Sequence, residues 1–247
     1  MKPYYEERGI TIYHASWEEA LSSIAPHSCS LLLTDPPYGT TNLKWDRPVD
    51  WKLFWPIVEQ ICRCYANYVL FSSGLFTHTL IVSNRKQFRY ELIWEKPMPV
   101  GFLSANRRPL RAHENILVFN SSFKQSVYNP QLVKGPVHVV GKVGTLPGHY
   151  GTFRRLPPRV TDKWHPRSIL RFSKPLGQHS LHPTQKPLEL MLWLVRSYSR
   201  PRNLVVDPFM GSGTTLVAAS RTGRRAIGCD TEERFCEIAA KRLTGDR

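Results

Sequence analysis

Leu204-Val205-Val206-Asp207-Pro208-Phe209-Met210-Gly211-Ser212-Gly213-Thr214-Thr215 is an apolar, β-branched run that enters a glycine-rich turn. Leu216-Val217-Ala218-Ala219 follows with helical spacing, so the stretch reads strand, turn, helix. Gly211 and Gly213 let the backbone come close to a ligand, and the helix start beyond them offers unpaired N–H groups to an anion. A phosphate-cradling loop needs Gly-Lys-Ser/Thr, but Thr214 and Thr215 follow Gly213 with no lysine. A dinucleotide fingerprint needs a third glycine where Leu216 stands. A cofactor with a small anionic head fits instead, such as the methionine carboxylate of S-adenosylmethionine. Downstream, Arg225-Ala226-Ile227-Gly228-Cys229-Asp230 reads as the next strand and ends in a carboxylate. Asp230 lies 17 residues past Gly213 (230 − 213), a position from which a strand-end acid reaches ribose hydroxyls. It also reads as the N-cap of a helix from Glu232 to Leu243, and the two roles are compatible.

A second unit of this kind stands near the N-terminus. Leu31-Leu32-Leu33 is another apolar run, and Asp35-Pro36-Pro37-Tyr38 follows it after Thr34. Two consecutive prolines fix φ near −65° and remove two donors, so the turn is stiff and its carbonyls are left to accept. The Asp35 carboxylate can accept one N–H of an exocyclic amino group, and the Pro36 carbonyl can accept the other. The Tyr38 ring can stack on the face of a flipped-out base. Taken alone, the tetrapeptide has a second, less favoured reading as a proline-rich turn closing a strand. Its pairing with the glycine turn favours the chemical reading.

The two motifs together resemble those of the DNA amino-methyltransferases, which methylate N6 of adenine or N4 of cytosine. Asp35-Pro36-Pro37-Tyr38 stands first and the glycine turn last, an order similar to the β arrangement of that family, a circular permutation of the methyltransferase sheet. His182-Pro183-Thr184-Gln185-Lys186-Pro187 resembles the family segment that precedes the cofactor-binding strand. The resemblance implies an open, doubly wound, mostly parallel α/β sheet of the Rossmann-like, S-adenosylmethionine-dependent kind, formed by a single domain over 1–247. It implies S-adenosyl-L-methionine as cofactor and double-stranded DNA as substrate, and it is compatible with a homodimer. Asp35, Pro36, Pro37 and Tyr38 take the catalytic roles. Ser16, Asp35, Thr184, Lys186, Asp207, Phe209, Gly211, Gly213, Thr214, Thr215 and Asp230 are the candidate cofactor contacts. Family members often carry Gly-Asp where the first strand ends, and the chain departs from this with Tyr13-His14-Ala15-Ser16-Trp17. Ser16 can hydrogen-bond to the adenine of the cofactor but brings no charge. Aspartate at the head of the first motif favours adenine over cytosine as target. Cytosine N4 and a non-catalytic nucleic-acid-binding relative are the rival readings.

Composition agrees with a nucleic-acid enzyme. Thirty-four Lys and Arg face 19 Asp and Glu, a net charge of +15, which is the footprint of a phosphate-binding surface. No apolar run reaches membrane-spanning length, and Met1-Lys2-Pro3-Tyr4-Tyr5-Glu6 has no signal-peptide core. The five cysteines form no Cys-x-x-Cys pair and none follows a proline, which argues against disulfides, zinc and a cytosine-C5 nucleophile. No metal is implied, and the cytoplasm of a bacterial or phage-infected cell is the expected compartment.

Around the first motif and beyond it, short strands at Ile10–Tyr13, Leu31–Thr34 and Tyr68–Phe71 alternate with helices at Trp17–Ile24, Lys52–Cys64 and Leu75–Ser83. Tyr90–Trp94 and Asn115–Phe119 read as a strand pair, and Pro187 as the first helical residue before the stripe Leu188, Met191, Leu192 and Val195. From about 121 to 175 the rhythm breaks into prolines, glycines and a basic aromatic cluster. Arg154, Arg155, Lys163 and Trp164 there suit phosphate and base contacts, so the stretch reads as an inserted target-recognition region. Arg107, Arg108 and Arg111, in the loop joining the strand pair, are further candidates for DNA contact.

Overall fold

The computed structural model describes residues 1–39, 46–141, 157–173 and 185–245. Its sheet is organised around β3 (Cys29–Thr34), in which every residue is buried. A strand can be apolar along its whole length only when both faces of the sheet are covered. Alternation does the sorting: Leu31 and Leu33 pack into one apolar layer and Leu32 into the other. The first layer is closed by α4 (Leu188–Tyr198), α5 (Thr214–Arg221) and α6 (Glu233–Gly245). The second is closed on the opposite face by α1 (Trp17–Ser22), α2 (Trp51–Ile61) and α3 (Leu75–Ser83).

The remaining strands are β1 (Tyr5–Glu7), β2 (Ile10–His14), β4 (Cys62–Ser72), β5 (Phe88–Val100), β6 (Arg111–Asn120), β7 (Val133–Val140), β8 (Arg159–Trp164), β9 (Ile169–Arg171), β10 (Leu204–Asp207) and β11 (Arg225–Asp230). The large sheet runs β1-β2-β11-β10-β3-β4-β6-β5-β9. Pairing is parallel from β2 through β4 and again at β5–β9, and antiparallel at β1–β2, β4–β6 and β5–β6. The expected doubly wound, mostly parallel sheet is present. From β3 the chain winds through α2 to β4 on one side, and from β10 through α5 to β11 on the other. The order therefore reverses between β10 and β3, and ligands of such sheets bind beyond the strand ends at that reversal.

Local chemistry accounts for the boundaries. Ser16 and Glu19 form a reciprocal capping box at the start of α1. α2 keeps Pro56 in its interior because it buries Phe54, Trp55, Val58 and Ile61. At roughly 1.5–3 kcal/mol per buried side chain these outweigh the ~3 kcal/mol cost of the proline. α2 stops at Ile61, and Cys62 begins a longer β4 than the apolar core Tyr68–Phe71 foretells. Pro187 caps α4 instead of opening it, with its carbonyl accepting from Met191 N–H.

Pro130–Arg167 forms a compact unit of its own, separate from the unit made by Met1–Asn129 and Ser168–Arg247. Inside it β7 and β8 pair antiparallel, and Trp164 packs on His138 with its N–H donating to the Pro136 carbonyl. This unit is narrower than the 121–175 region marked out by composition. Val127 and Leu170 are buried in the main unit, and β9 extends its sheet edge, so apolar anchors hold both flanks there. Among the described residues no helix is long and apolar enough to cross a membrane.

Candidate active site

The carboxyl ends of β3 and β10 lie side by side, and a cavity of about 760 Å³ opens beyond them. That is an ordinary size for a small-molecule site, roughly 300–1,000 Å³. Its wall includes Asp35, Pro36, Pro37 and Tyr38 from the turn after β3, and Asp207, Phe209, Gly211, Thr214 and Thr215 from the turn after β10. Ser16, Lys186 and Asp230 complete the set of expected residues that line it. Two segments 172 positions apart at their aspartates (207 − 35) therefore share one cavity.

A buried carboxylate pins them together. Asp207 accepts from Thr34 Oγ1 at 2.6 Å, from Thr215 Oγ1 at 2.5 Å and from Phe209 N–H at 3.2 Å. Both of its oxygens are thus taken by protein donors. Asp207, expected as a cofactor contact, thereby braces β3, β10 and α5 and also lines the cavity. Burial pushes its carboxyl up to about 6, against the pull of the two threonine hydroxyls.

Gly213 also differs from expectation. It is not on the cavity wall; it sits behind the turn at φ +73°, where an added Cβ would stand 2.6 Å from the Ala239 side chain of α6. Glycine is required there for close helix packing as well as for the left-handed backbone. Gly211, at φ +51°, does face the cavity, and its N–H donates to Asp230 Oδ2 at 3.1 Å. Asp230 Oδ1 accepts from Glu232 N–H at 2.8 Å, a turn ahead of α6 and not the expected N-cap, since α6 begins at Glu233; the residue lines the cavity. Arg242 of α6 clamps the turn from outside, its guanidinium donating to the Ser212 carbonyl at 2.5 Å and to Thr214 Oγ1 at 3.0 Å.

At the other end of the cavity stands a cluster of charges. Tyr38 donates its hydroxyl to Asp35 Oδ1 at 2.7 Å, and its ring stacks on Phe76 with centroids 4.7 Å apart. Asp35 Oδ2 accepts from Lys186 Nζ at 2.5 Å. Lys186 also lies 3.1 Å from Glu114 Oε2, and Glu114 Oε1 accepts from Lys96 Nζ at 2.6 Å. Lys186 is buried, with its ammonium 4.8 Å from the centre of the Phe71 ring. Burial drives the Asp35 carboxyl above its ordinary range, and Lys186 only partly restores it. For Glu114 burial acts in the same direction, but Lys186 and then Lys96 outweigh it and hold the group below its usual value. Burial works against the Lys186 charge, yet Asp35 and Glu114 hold its pKa above normal. Burial, and next the Asp35 carboxylate, keep the Tyr38 hydroxyl protonated.

Lys186, expected near a methionine carboxylate, bridges two protein carboxylates on the cavity wall. Thr184, Arg154 and Arg155 lie outside the described residues. Ser16 is occupied as a helix cap, accepting from Glu19 N–H and donating to the Glu19 carboxylate. Phe209 packs on Phe54 and Trp17 at the cavity edge. Arg107, Arg108 and Arg111 are exposed, and Lys163 and Trp164 are exposed within the smaller unit. Reading the sequence missed Glu114, Lys96, Thr34 and Arg242. No spacing links Glu114 to Asp35, 79 positions away (114 − 35), because the sheet alone brings β6 to the site.

The N6/N4 methylase model, described as DNA methylase, matches residues 29–241. The type II methyltransferase M.HinfI of Haemophilus influenzae is 44% identical over 267 residues, spanning 94% of this chain and 68% of its own length. The type II methyltransferase M2.LlaDCHI of Lactococcus lactis subsp. cremoris is 27% identical over 269 residues, spanning 98% of this chain and 92% of its own. Among solved structures, the cytosine-N4-specific PvuII DNA methyltransferase aligns with a TM-score of 0.71 at 17% identity, covering 99% of this chain and 96% of the other. M1.HpyAVI, solved as a complex with SAM, aligns with a TM-score of 0.63 at 24% identity, covering 94% and 98%. At these identities the two structural likenesses concern the fold.

Proposed function

We propose, from the premise that this chain belongs to the N6/N4 DNA methylase family, that it transfers a methyl group from S-adenosylmethionine to N6 of adenine in duplex DNA. The observation that carries this reading is the single cavity lined by Asp35 and Tyr38 at one end and the glycine turn at the other. The residues present suit the cofactor. Gly211 brings backbone to the wall, the α5 N-terminus lies behind it, Phe209 and Trp17 offer rings, and Asp230 offers a carboxylate. When bound, S-adenosylmethionine supplies an electrophilic methyl group on a sulfonium sulfur.

The protein's part is to prepare the amino nitrogen. An aromatic amine is a poor nucleophile because its lone pair is delocalised into the ring. Asp35 and the Pro36 carbonyl accept its two N–H groups, which localises the pair and aims it at the methyl carbon. As the new N–C bond forms the nitrogen becomes cationic, and one of its protons leaves towards Asp35. A carboxyl raised by burial is suited to receive it. Tyr38 offers one face to the base, its other face being covered by Phe76. Lys163 and Trp164 in the unit Pro130–Arg167 supply a cation and a ring for target recognition.

The test incubates the protein with duplex DNA and methyl-labelled S-adenosylmethionine, then digests the DNA to nucleosides and weighs them. N6-methyl-2′-deoxyadenosine is expected. N4-methylcytosine would transfer the same chemistry to the other base, and no label in DNA would sink the reading. Asp35→Asn should abolish transfer while leaving cofactor affinity within a few-fold, since the amide keeps the shape but loses the charge that orders the amino group.

A further inference from the structure

We propose that the tip of the β5–β6 hairpin, Phe102 and Leu103, is an apolar wedge that enters the base stack of DNA beside the nucleotide being methylated. The inference rests on the reading of duplex DNA as substrate and adds to it the residues that open the duplex. Phe102 is 76% exposed and Leu103 88%, on a 3-10 turn at Phe102–Ser104 that joins neither apolar layer among the described residues. Large side chains presented so fully mark an interaction surface, not a core.

The surroundings select the partner. Residues 97–113 carry Arg107, Arg108 and Arg111 and no acidic residue, so the charges that the hairpin itself sets beside the apolar tip are cationic. A second protein surface would more often meet a mixed rim, whereas phosphates on both sides of a base step meet this one. Apolar wedges flanked by such cations unstack base steps in DNA-bending proteins. The tip is also pre-shaped. Gly101 takes φ +95°, Ser104 N–H donates to the Gly101 carbonyl, and Arg107 and Arg108 N–H groups both donate to the Ser104 carbonyl. Pro97, Pro99 and Pro109 stiffen its stems.

The same strand connects the tip to the chemistry. Glu114 of β6 touches Lys186, which holds Asp35. Arg111, three residues earlier, lies by Gly74, and its charge acts on Tyr38. Val100 and Arg111 are register partners, so the turn begins where those stems end. At about 3.3 Å per residue the strand from Glu114 to Arg111 covers roughly 10 Å. The turn that carries Phe102 and Leu103 lies beyond that stem. A wedge on that turn occupies the gap as the base arrives at Asp35.

The experiment compares wild type with the double variant Phe102→Ala/Leu103→Ala in single-turnover methylation. One duplex carries a target site mapped from the DNA of expressing cells; the other carries the same target opposite an abasic position. The variant should lose about 10- to 100-fold in rate on the paired target and stay within about 3-fold of wild type on the unpaired one, whose extrusion costs less. Thermal midpoints should match, since both side chains are exposed. Equal loss on the two duplexes, or none on either, overturns the wedge while wild-type activity stands. A loss that tracks a dimer-to-monomer change in sedimentation overturns it in favour of a contact between copies. Wild-type protein inactive on both duplexes refutes the methylation reading, and the wedge with it.

Discussion

Lys186→Met isolates the charge cluster at the cavity. In the native protein Lys96 and Lys186 balance Asp35 and Glu114, two cations against two carboxylates. Methionine keeps the apolar stem but removes the ammonium beside Phe71, leaving Lys96 as the remaining ion-pair partner among these four groups. Removing one partner of a buried ion pair costs about 3–5 kcal/mol. The Asp35 side chain retains 23% of its exposure, so relief by solvent places the expected loss at the lower end. With each kcal/mol moving the midpoint of a chain this size by about 2–4 °C, unfolding at pH 8 should occur roughly 6–12 °C lower.

The pH dependence has a definite sign. Without Lys186, burial and mutual repulsion raise both carboxyls, so their ionised forms destabilise the fold above their unfolded pKa values. As pH falls towards 5 they take up protons and the deficit against wild type shrinks. Wild-type Glu114, held below its ordinary value, keeps its contribution further into acid. Methyl transfer by the variant should likewise rise with pH, since Asp35 must be ionised to accept the amino N–H. Adding Glu114→Gln removes one stranded charge and should restore at least about 1 kcal/mol, a coupling that separate sites do not show. Calorimetric scans from pH 5 to 8 on the single and double variants read all of this. A pH-independent deficit under about 2 °C, additive with Glu114→Gln, would mean that the cluster is solvated and the reasoning wrong.

Three further outcomes are expected. Asp207→Asn preserves the acceptor for Thr34 and Phe209 but removes a charge whose carboxyl burial has pushed up to about 6. It also loses the acceptor for Thr215, a pH-independent cost, so the stability difference should shift by about 3 kcal/mol in favour of the variant between pH 4 and pH 7, and a flat difference across that range would refute the assignment. Gly213→Ala meets both a left-handed backbone and Ala239, so denaturant melts should show a loss of roughly 2–5 kcal/mol; a loss below 1 kcal/mol would mean the turn can shift. Tyr38→Phe loses the hydroxyl bond to Asp35 but keeps the ring, and Tyr38→Ala loses both. Single-turnover rates should fall by about 10-fold for phenylalanine and by a further 10-fold or more for alanine, and equal falls would remove the ring from the mechanism.

The parts of the site legible in the sequence are those written in consecutive residues. A strand, a turn and the start of a helix suffice to place Asp35 to Tyr38 and Asp207 to Thr215, because backbone geometry carries each residue to a strand's carboxyl end. What the sequence withheld depends on burial and pairing across the sheet. Asp207 looks like a ligand in a motif, but Thr34 and Thr215 reach it only once β3 and β10 are adjacent. Gly213 looks like part of a cradle, yet the Ala239 side chain that requires it lies on another helix. Lys186 was assigned from its neighbours in the chain, and the carboxylates that claim it come from β3 and β6. In each case the linear motif names a residue type the site needs, and the packed sheet decides whether that residue faces the ligand or holds one that does. The division predicts where variation is tolerated. Groups touching the ligand are bound to its chemistry, whereas a bracing pair such as Thr34 and Asp207 can be exchanged together for another donor and acceptor that keep the two strand ends joined.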